Sequence, residues 1–145
     1  MKKFLFIILA TMMIALSACQ GAQTSTQLTV KDAWARSALQ GNPTAIYFVI
    51  NNPTDEEDVL LTASTDASMM TELHMSSMDA SGVMKMTPQE NVPVPAKSEV
   101  IFKQGGLHVM LMNIKKDLKP GDTVKLTLNF EKAGQIVLDV PVKTP

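Results

Sequence analysis

The sequence predicts an all-β domain of seven to nine short strands, arranged as a sandwich or Greek-key barrel. Three observations carry that reading. Apolar residues recur at every second position in several segments, most cleanly Val124, Leu126, Leu128 and Phe130, then Ile136, Leu138 and Val140, which is the pattern of strands with one buried face. Turn-forming runs separate the segments: Asn51-Asn52-Pro53, Asp79-Ala80-Ser81-Gly82, Gly105-Gly106 and Lys119-Pro120-Gly121-Asp122. Beyond the first 18 residues, no segment sustains a 3.6-residue apolar period capped at both ends.

The chain opens with Lys2 and Lys3, continues in an almost unbroken apolar run from Phe4 to Leu16, and closes that run with Leu16-Ser17-Ala18-Cys19. A charged start, an apolar centre and a small-residue cleavage site, in that order, specify a secretory signal over residues 1–18, too short to span a membrane as a helix. Leu-Ser-Ala-Cys resembles the lipobox of bacterial lipoproteins, in which the cysteine receives a diacylglycerol and becomes the first residue after cleavage. The resemblance makes Cys19 a lipid anchor. Each buried methylene contributes about 0.8 kcal/mol, and more than one acyl chain holds a protein stably at a bilayer. Gln20 stands where an aspartate retains enteric lipoproteins at the inner membrane, so the expected location is the periplasmic face of the envelope, at the outer rather than the inner membrane.

Removal of residues 1–18 leaves 127 of the 145 residues, enough for one domain with a real core. Net charge moves from −1 to −3, with 11 basic against 14 acidic side chains. The basic residues are scattered, which excludes nucleic acid as a partner. Cys19 is the only cysteine, so once lipidated the chain has no thiol for a disulfide or for thiol exchange. Any metal or redox role falls to histidine, methionine or carboxylate.

Residues 19–27 are polar and small, a flexible tether, and the domain runs over 28–145. Leu28 to Trp34 reads as a strand with Leu28, Val30 and Trp34 on its buried face, and Ala45 to Ile50 as a buried strand after the break at Asn42-Pro43. The acidic run Asp55 to Asp58 reads as a solvated loop. Val59–Ser64 and Thr71–Met78 follow as strands, the second joined to Val83–Met86 through the Asp79–Gly82 turn as a hairpin. Pro93 and Pro95 make Asn91–Lys97 an irregular or edge segment. Glu99–Phe102, Leu107–Ile114, Thr123–Phe130 and Gln135–Val142 complete the set, the last two joined by the four-residue loop Glu131-Lys132-Ala133-Gly134.

Of the 11 methionines, Met1, Met12 and Met13 belong to the signal; the other eight lie between Met69 and Met112, together with both histidines, His74 and His108. Strand alternation sets His108, Met110 and Met112 on one side, with an imidazole and a thioether roughly 6–7 Å apart. It likewise sets Met84 beside Met86. Thioether sulfur is soft and uncharged, so it disfavours magnesium, calcium and manganese and favours copper(I). Zinc normally draws on thiolate, imidazole and carboxylate, and a blue-copper centre requires a thiolate. The residues therefore read as a copper(I) carrier with two imidazoles and two thioethers, against the alternative that the methionines merely fill an irregular core.

The spacing narrows this choice. His74, Met75, Met86, His108 and Met110 form H-M-x10-M-x21-H-x-M, which resembles the signature H-(M)-x10-M-x21-H-x-M of the PCu(A)C family of periplasmic copper chaperones. Asp32-Ala33-Trp34-Ala35-Arg36, Gly82 to Met86, Val94-Pro95-Ala96 and Gly105 to Leu111 are also similar, so the resemblance runs from about Leu28 to Val142. It implies a cupredoxin-like Greek-key β-sandwich, copper(I) as the cargo, and His74, Met86, His108 and Met110 as ligands, with Met75 optional. It further implies delivery toward the CuA site of cytochrome c oxidase. The partners expected on that basis are a copper acceptor or a thiol-bearing copper-delivery protein of oxidase assembly, with the membrane reached through the lipid and the domain itself monomeric. Lys103-Gln104 departs from relatives that commonly have a proline before the glycine pair. Two other readings fit the same residues: envelope copper scavenging or resistance, and a non-metal interaction lipoprotein with a methionine-rich docking surface. No Gly-x-Ser-x-Gly or Cys–His arrangement supports an enzyme.

Cells expressing the chain and fed radioactive palmitate should label it, and Cys19→Ser should abolish the label. An unlabelled wild-type protein would remove the lipid anchor from this reading.

Overall fold

A computed structural model describes residues 27–144. The signal segment 1–18, Cys19 and the tether up to residue 26 lie outside the described residues. Within them ten strands follow one another without a helix: β1 Thr29–Arg36, β2 Thr44–Asn52, β3 Asp58–Thr65, β4 Ser68–Met78, β5 Met84–Gln89, β6 Val92–Val94, β7 Ser98–Phe102, β8 Leu107–Ile114, β9 Thr123–Phe130 and β10 Gln135–Lys143. The all-β expectation holds.

The strands hydrogen-bond in the order β5-β4-β8-β7-β2-β1-β10-β9-β3-β6. The β1–β10 contact is a short parallel one, Ala35 opposite Val142 and Arg36 opposite Lys143; all but one of the other named pairings are antiparallel. That narrow seam lets the sheet bend back on itself. Ile46, Phe48, Ile50, Val109 and Leu111 from one half and Leu60, Leu126, Leu128 and Val140 from the other are buried in a single cluster, the interior of a sandwich. Phe48 and Phe102 stack at its centre, ring centroids 4.3 Å apart. Alternation along β2 and β8 leaves their other faces free to build a site.

Two expectations are revised. There are ten strands, not seven to nine, because Val92–Val94 pairs with β3, placing Pro93 opposite Val59. Val92 and Val94 are buried while Pro93 points out, so a strand at the edge tolerates the missing N–H. Trp34 does not share the buried face of Leu28 and Val30. A bulge between Lys31 and Trp34 shifts the register, with Asp32 in the left-handed region at φ 56°, a conformation that aspartate adopts more readily than most residues. The extra residue turns Trp34 to the outer face, where its ring lies 4.8 Å from that of Tyr47.

The acidic run divides as well. Asp55, Glu56 and Glu57 are exposed, but Asp58 is buried. Its Oδ1 accepts from the backbone N–H of Val59 (2.7 Å) and Lys132 (2.9 Å), and its Oδ2 from that of Ala133 (2.8 Å). Asp58 thus fastens the β9–β10 loop to the start of β3. Nearby, the buried Asn52 Nδ2 donates to the carbonyls of Glu56 (2.8 Å), Val94 (3.1 Å) and Pro95 (3.1 Å).

Burial pushes the Asp58 carboxyl up, but the three backbone donors and the Lys132 charge outweigh burial and hold it below the usual carboxylate value. Its stabilisation is therefore present above the unfolded carboxylate pKa, about 3.9, and is lost as pH falls through the lower folded value. Asp58→Ala should cost about 2 kcal/mol, because three part-buried backbone N–H groups lose a charged acceptor. In thermal unfolding, the gap between wild type and Asp58→Asn should persist at neutral pH and close in acid. A gap that widens in acid would contradict the assignment.

Candidate metal site

The site begins with strand register. β4 and β8 pair antiparallel with His74 directly opposite His108, Glu72 opposite Met110 and Met70 opposite Met112. Side chains opposite one another share a face, so the two imidazoles meet, ring centroids 5.8 Å apart. β5 joins the other side of β4 with Ser76 opposite Met86 and Met78 opposite Met84. Alternation then puts Met84, Met86, Ser76, His74, His108 and Met110 on one face of the sheet. Met75 lies on the opposite face of β4, between Thr87 and Leu107.

Ser76, Met84, Met86, His108 and Met110 line one cleft of about 720 Å³, walled on the β2 side by Thr44, Ala45 and Tyr47 and at its mouth by Arg36 and Gln104. His74 sits at its margin through its contact with His108. The cleft is graded in exposure. His108 is buried, His74 and Met110 are half-buried, and Met86, on edge strand β5, is 60% exposed. A second cleft of about 730 Å³ lies elsewhere, lined by residues 54–58 and the β9–β10 loop; it contains neither histidine nor methionine.

Hydrogen bonds fix which nitrogen of each ring is available. His108 Nδ1 lies 2.9 Å from the Gly106 carbonyl oxygen. A carbonyl can only accept, so Nδ1 carries the proton and Nε2 keeps its lone pair. His74 is the mirror case. Its Nε2 lies 2.8 Å from Glu72 Oε2, so Nε2–H donates to the carboxylate, leaving the Nδ1 lone pair, which is buried with no hydrogen-bond partner. A buried acceptor without a partner costs about 1–3 kcal/mol, and a bound cation relieves that cost. The Glu72–His74 pair has the form of the carboxylate–histidine–metal arrangements that orient a ligating ring.

Tyr47 backs this face. Its ring lies 6.5 Å from that of His108. Burial raises the Tyr47 phenol above its ordinary value; nearby Arg36 and a hydrogen bond from Gln104 act in the opposite direction. Gln104, one of the two residues that depart from the family pattern, thus joins the cleft wall. Among the described residues no trio of histidine, cysteine, aspartate or glutamate side chains converges; the soft donors that line this cleft beside His108 are the thioethers of Met84, Met86 and Met110.

All four sequence-predicted ligands, His74, Met86, His108 and Met110, fall on this one face. The predicted set omits Glu72, although its position two residues before His74 on the same strand face is a usable signal. The Tyr47 wall and the Gly106 carbonyl needed the strand pairing.

The family model described as "Putative lipoprotein LpqE-like" matches residues 28–142. The chain belongs to the LpqE-like family. A protein of Leifsonia xyli subsp. xyli described as "Putative lipoprotein Lxx21020" is 27% identical over 114 residues, which cover 79% of this chain and 68% of that relative. Among solved structures, this member of the LpqE-like family is similar to the copper-bound PCuAC domain from PmoF2, with TM-score 0.69 and 27% identity over 82% of this chain and 94% of that one. It is also similar to the solution structure of CuI-DR1885 from Deinococcus radiodurans, with TM-score 0.59 and 29% identity over 83% and 82%. The fold is therefore the cupredoxin-like one of PCuAC domains, and both of these similar structures are copper forms.

Proposed function

We propose that this protein is a lipid-anchored copper(I) chaperone of the periplasmic face of the envelope, and that it carries its ion on His74, Met86, His108 and Met110 toward the CuA site of cytochrome c oxidase. The observation that carries the reading is the His74–His108 pair. Two imidazoles face each other across adjacent strands, each with one nitrogen committed to a hydrogen bond and the other left with a free lone pair. Two thioethers share their face. The likeness to copper-bound PCuAC domains supports the same choice of cargo.

The donors are neutral, so the ion keeps its single positive charge, and copper(I) is the common biological cation that such a soft set favours. The buried end, His108, is held by the backbone, whereas Met86 stands exposed on the edge strand. An acceptor's ligand enters on the Met86 side, Met86 leaves first, and the histidines release last. Transfer is then a sequence of ligand exchanges in which copper stays in one oxidation state. A thiol-bearing partner of oxidase assembly suits the receiving role because thiolate is softer and charged. Thioethers cannot form disulfides in an oxidising compartment, though oxidation to sulfoxide would disable them.

Anaerobic copper(I) titration against a competing chelator tests the reading. The His108→Ala, Met110→Ala double variant should bind at least about 100-fold more weakly, since loss of even an outer-shell partner costs 10–100-fold. Unchanged affinity would refute the site.

A further inference from the structure

The β4–β5 hairpin carries a feature that the four-ligand cleft does not use. At its tip Met78 stands directly opposite Met84. The Asp79 N–H donates to the Val83 carbonyl (3.0 Å), so the 79/83 rung is hydrogen-bonded and the next one, Met78–Met84, is not. In such a rung opposed side chains are at their closest, with Cβ atoms about 4.5–5.5 Å apart. Two thioethers starting from there can meet on one ion.

The turn holds this arrangement without help from a metal. Asp79 Oδ1 accepts from the Ser81 N–H (2.9 Å), the Ser81 hydroxyl (2.7 Å) and the Val83 N–H (3.0 Å). The Gly82 N–H donates to the Asp79 carbonyl (2.9 Å), and Gly82 takes the φ of +81° that closes a tight hairpin. Lys85 Nζ lies 3.4 Å from the other carboxylate oxygen. Because the turn is already ordered, a ligand pays little to order it further.

Packing does not account for the pair. Met78 is 66% exposed and Met84 48%, so neither serves as core filler. Alternation places both on the face of Ser76 and Met86, and Met84 lines the same cleft as Met86, His108 and Met110. Successive positions on that face are about 6–7 Å apart. Thioethers therefore run stepwise from the hairpin tip, through Met86, to the buried imidazole. Met70 also faces Met112 in register, but neither of them lines the cleft and Met112 is half-buried.

We propose that Met78 and Met84 form a second, outlying site for a soft monovalent cation, copper(I), through which ions enter and leave the cleft. Its two neutral thioethers exclude hard divalent cations, and with two ligands it binds more weakly than the four-ligand cleft. As a stage in copper transfer it rests on the function proposed above; as a metal site it stands on the hairpin geometry alone.

The test uses the full chain in detergent micelles with 13C-labelled methionine methyl groups, titrated anaerobically with copper(I). The first equivalent should shift Met86 and Met110, and the second Met78 and Met84. Met78→Leu should lose the second equivalent and keep the first, while Met70→Leu, Met112→Leu should keep both. The inference is overturned if the wild type takes one equivalent only, if the Met78 and Met84 signals stay still, or if the second equivalent survives in the Met78→Leu variant or is lost in the Met70/Met112 one. A first equivalent that persists in the His108→Ala, Met110→Ala variant would instead count against the cleft, leaving the outcome at the hairpin to be read separately.

Discussion

The antiparallel register of β4 on β8 is the constraint on which the site depends. A slip of one residue would send His74 to the far face of its strand, while His108 stayed behind. The register is held by what lies beneath. Leu73, Val109 and Leu111 are buried on the core side of the same two strands, and Leu73 pairs directly with Val109. The hydrophobic core therefore determines where the imidazoles stand. The imidazole pair on one face of the sheet is positioned by apolar packing on the other.

Around that pair, local devices set the rest. The bulge at Asp32 adds one residue to β1 and turns Trp34 outward onto Tyr47, whose ring backs His108. Gly106, in the turn before β8, offers the carbonyl that fixes the His108 tautomer, and Glu72 does the corresponding work for His74. Ser76, small and buried, stands opposite the exposed Met86 on the neighbouring strand. The result is a gradient from a fixed, buried imidazole to a free, exposed thioether, which suits the proposed copper carrier.

Much of this was legible in the residues, and what was missed has a physical reason in each case. The strands β9 and β10 announce themselves because each has one wet and one dry face, so alternation is clean. Pro93 removes a donor, so the sequence predicts an irregular or edge segment, and β6 is indeed the edge strand, where that penalty vanishes. Simple alternation puts Trp34 on the wrong face because a bulge changes the period by one residue and leaves little local trace beyond an aspartate. Asp58 looked like its solvated neighbours, since its three backbone donors come partly from a loop far along the chain. The ligand spacing was readable, but that His74 and His108 sit on one rung is a property of long-range pairing. No local pattern encodes it.

The central claim is that two imidazoles and two thioethers converge on one copper(I) ion. X-ray absorption at the copper edge of the protein loaded with a single equivalent measures that donor set directly. The account predicts a copper(I) edge with two nitrogen and two sulfur scatterers, and loss of nitrogen scattering in a His74→Ala, His108→Ala variant. A first shell made only of sulfur, or only of nitrogen and oxygen, would contradict it.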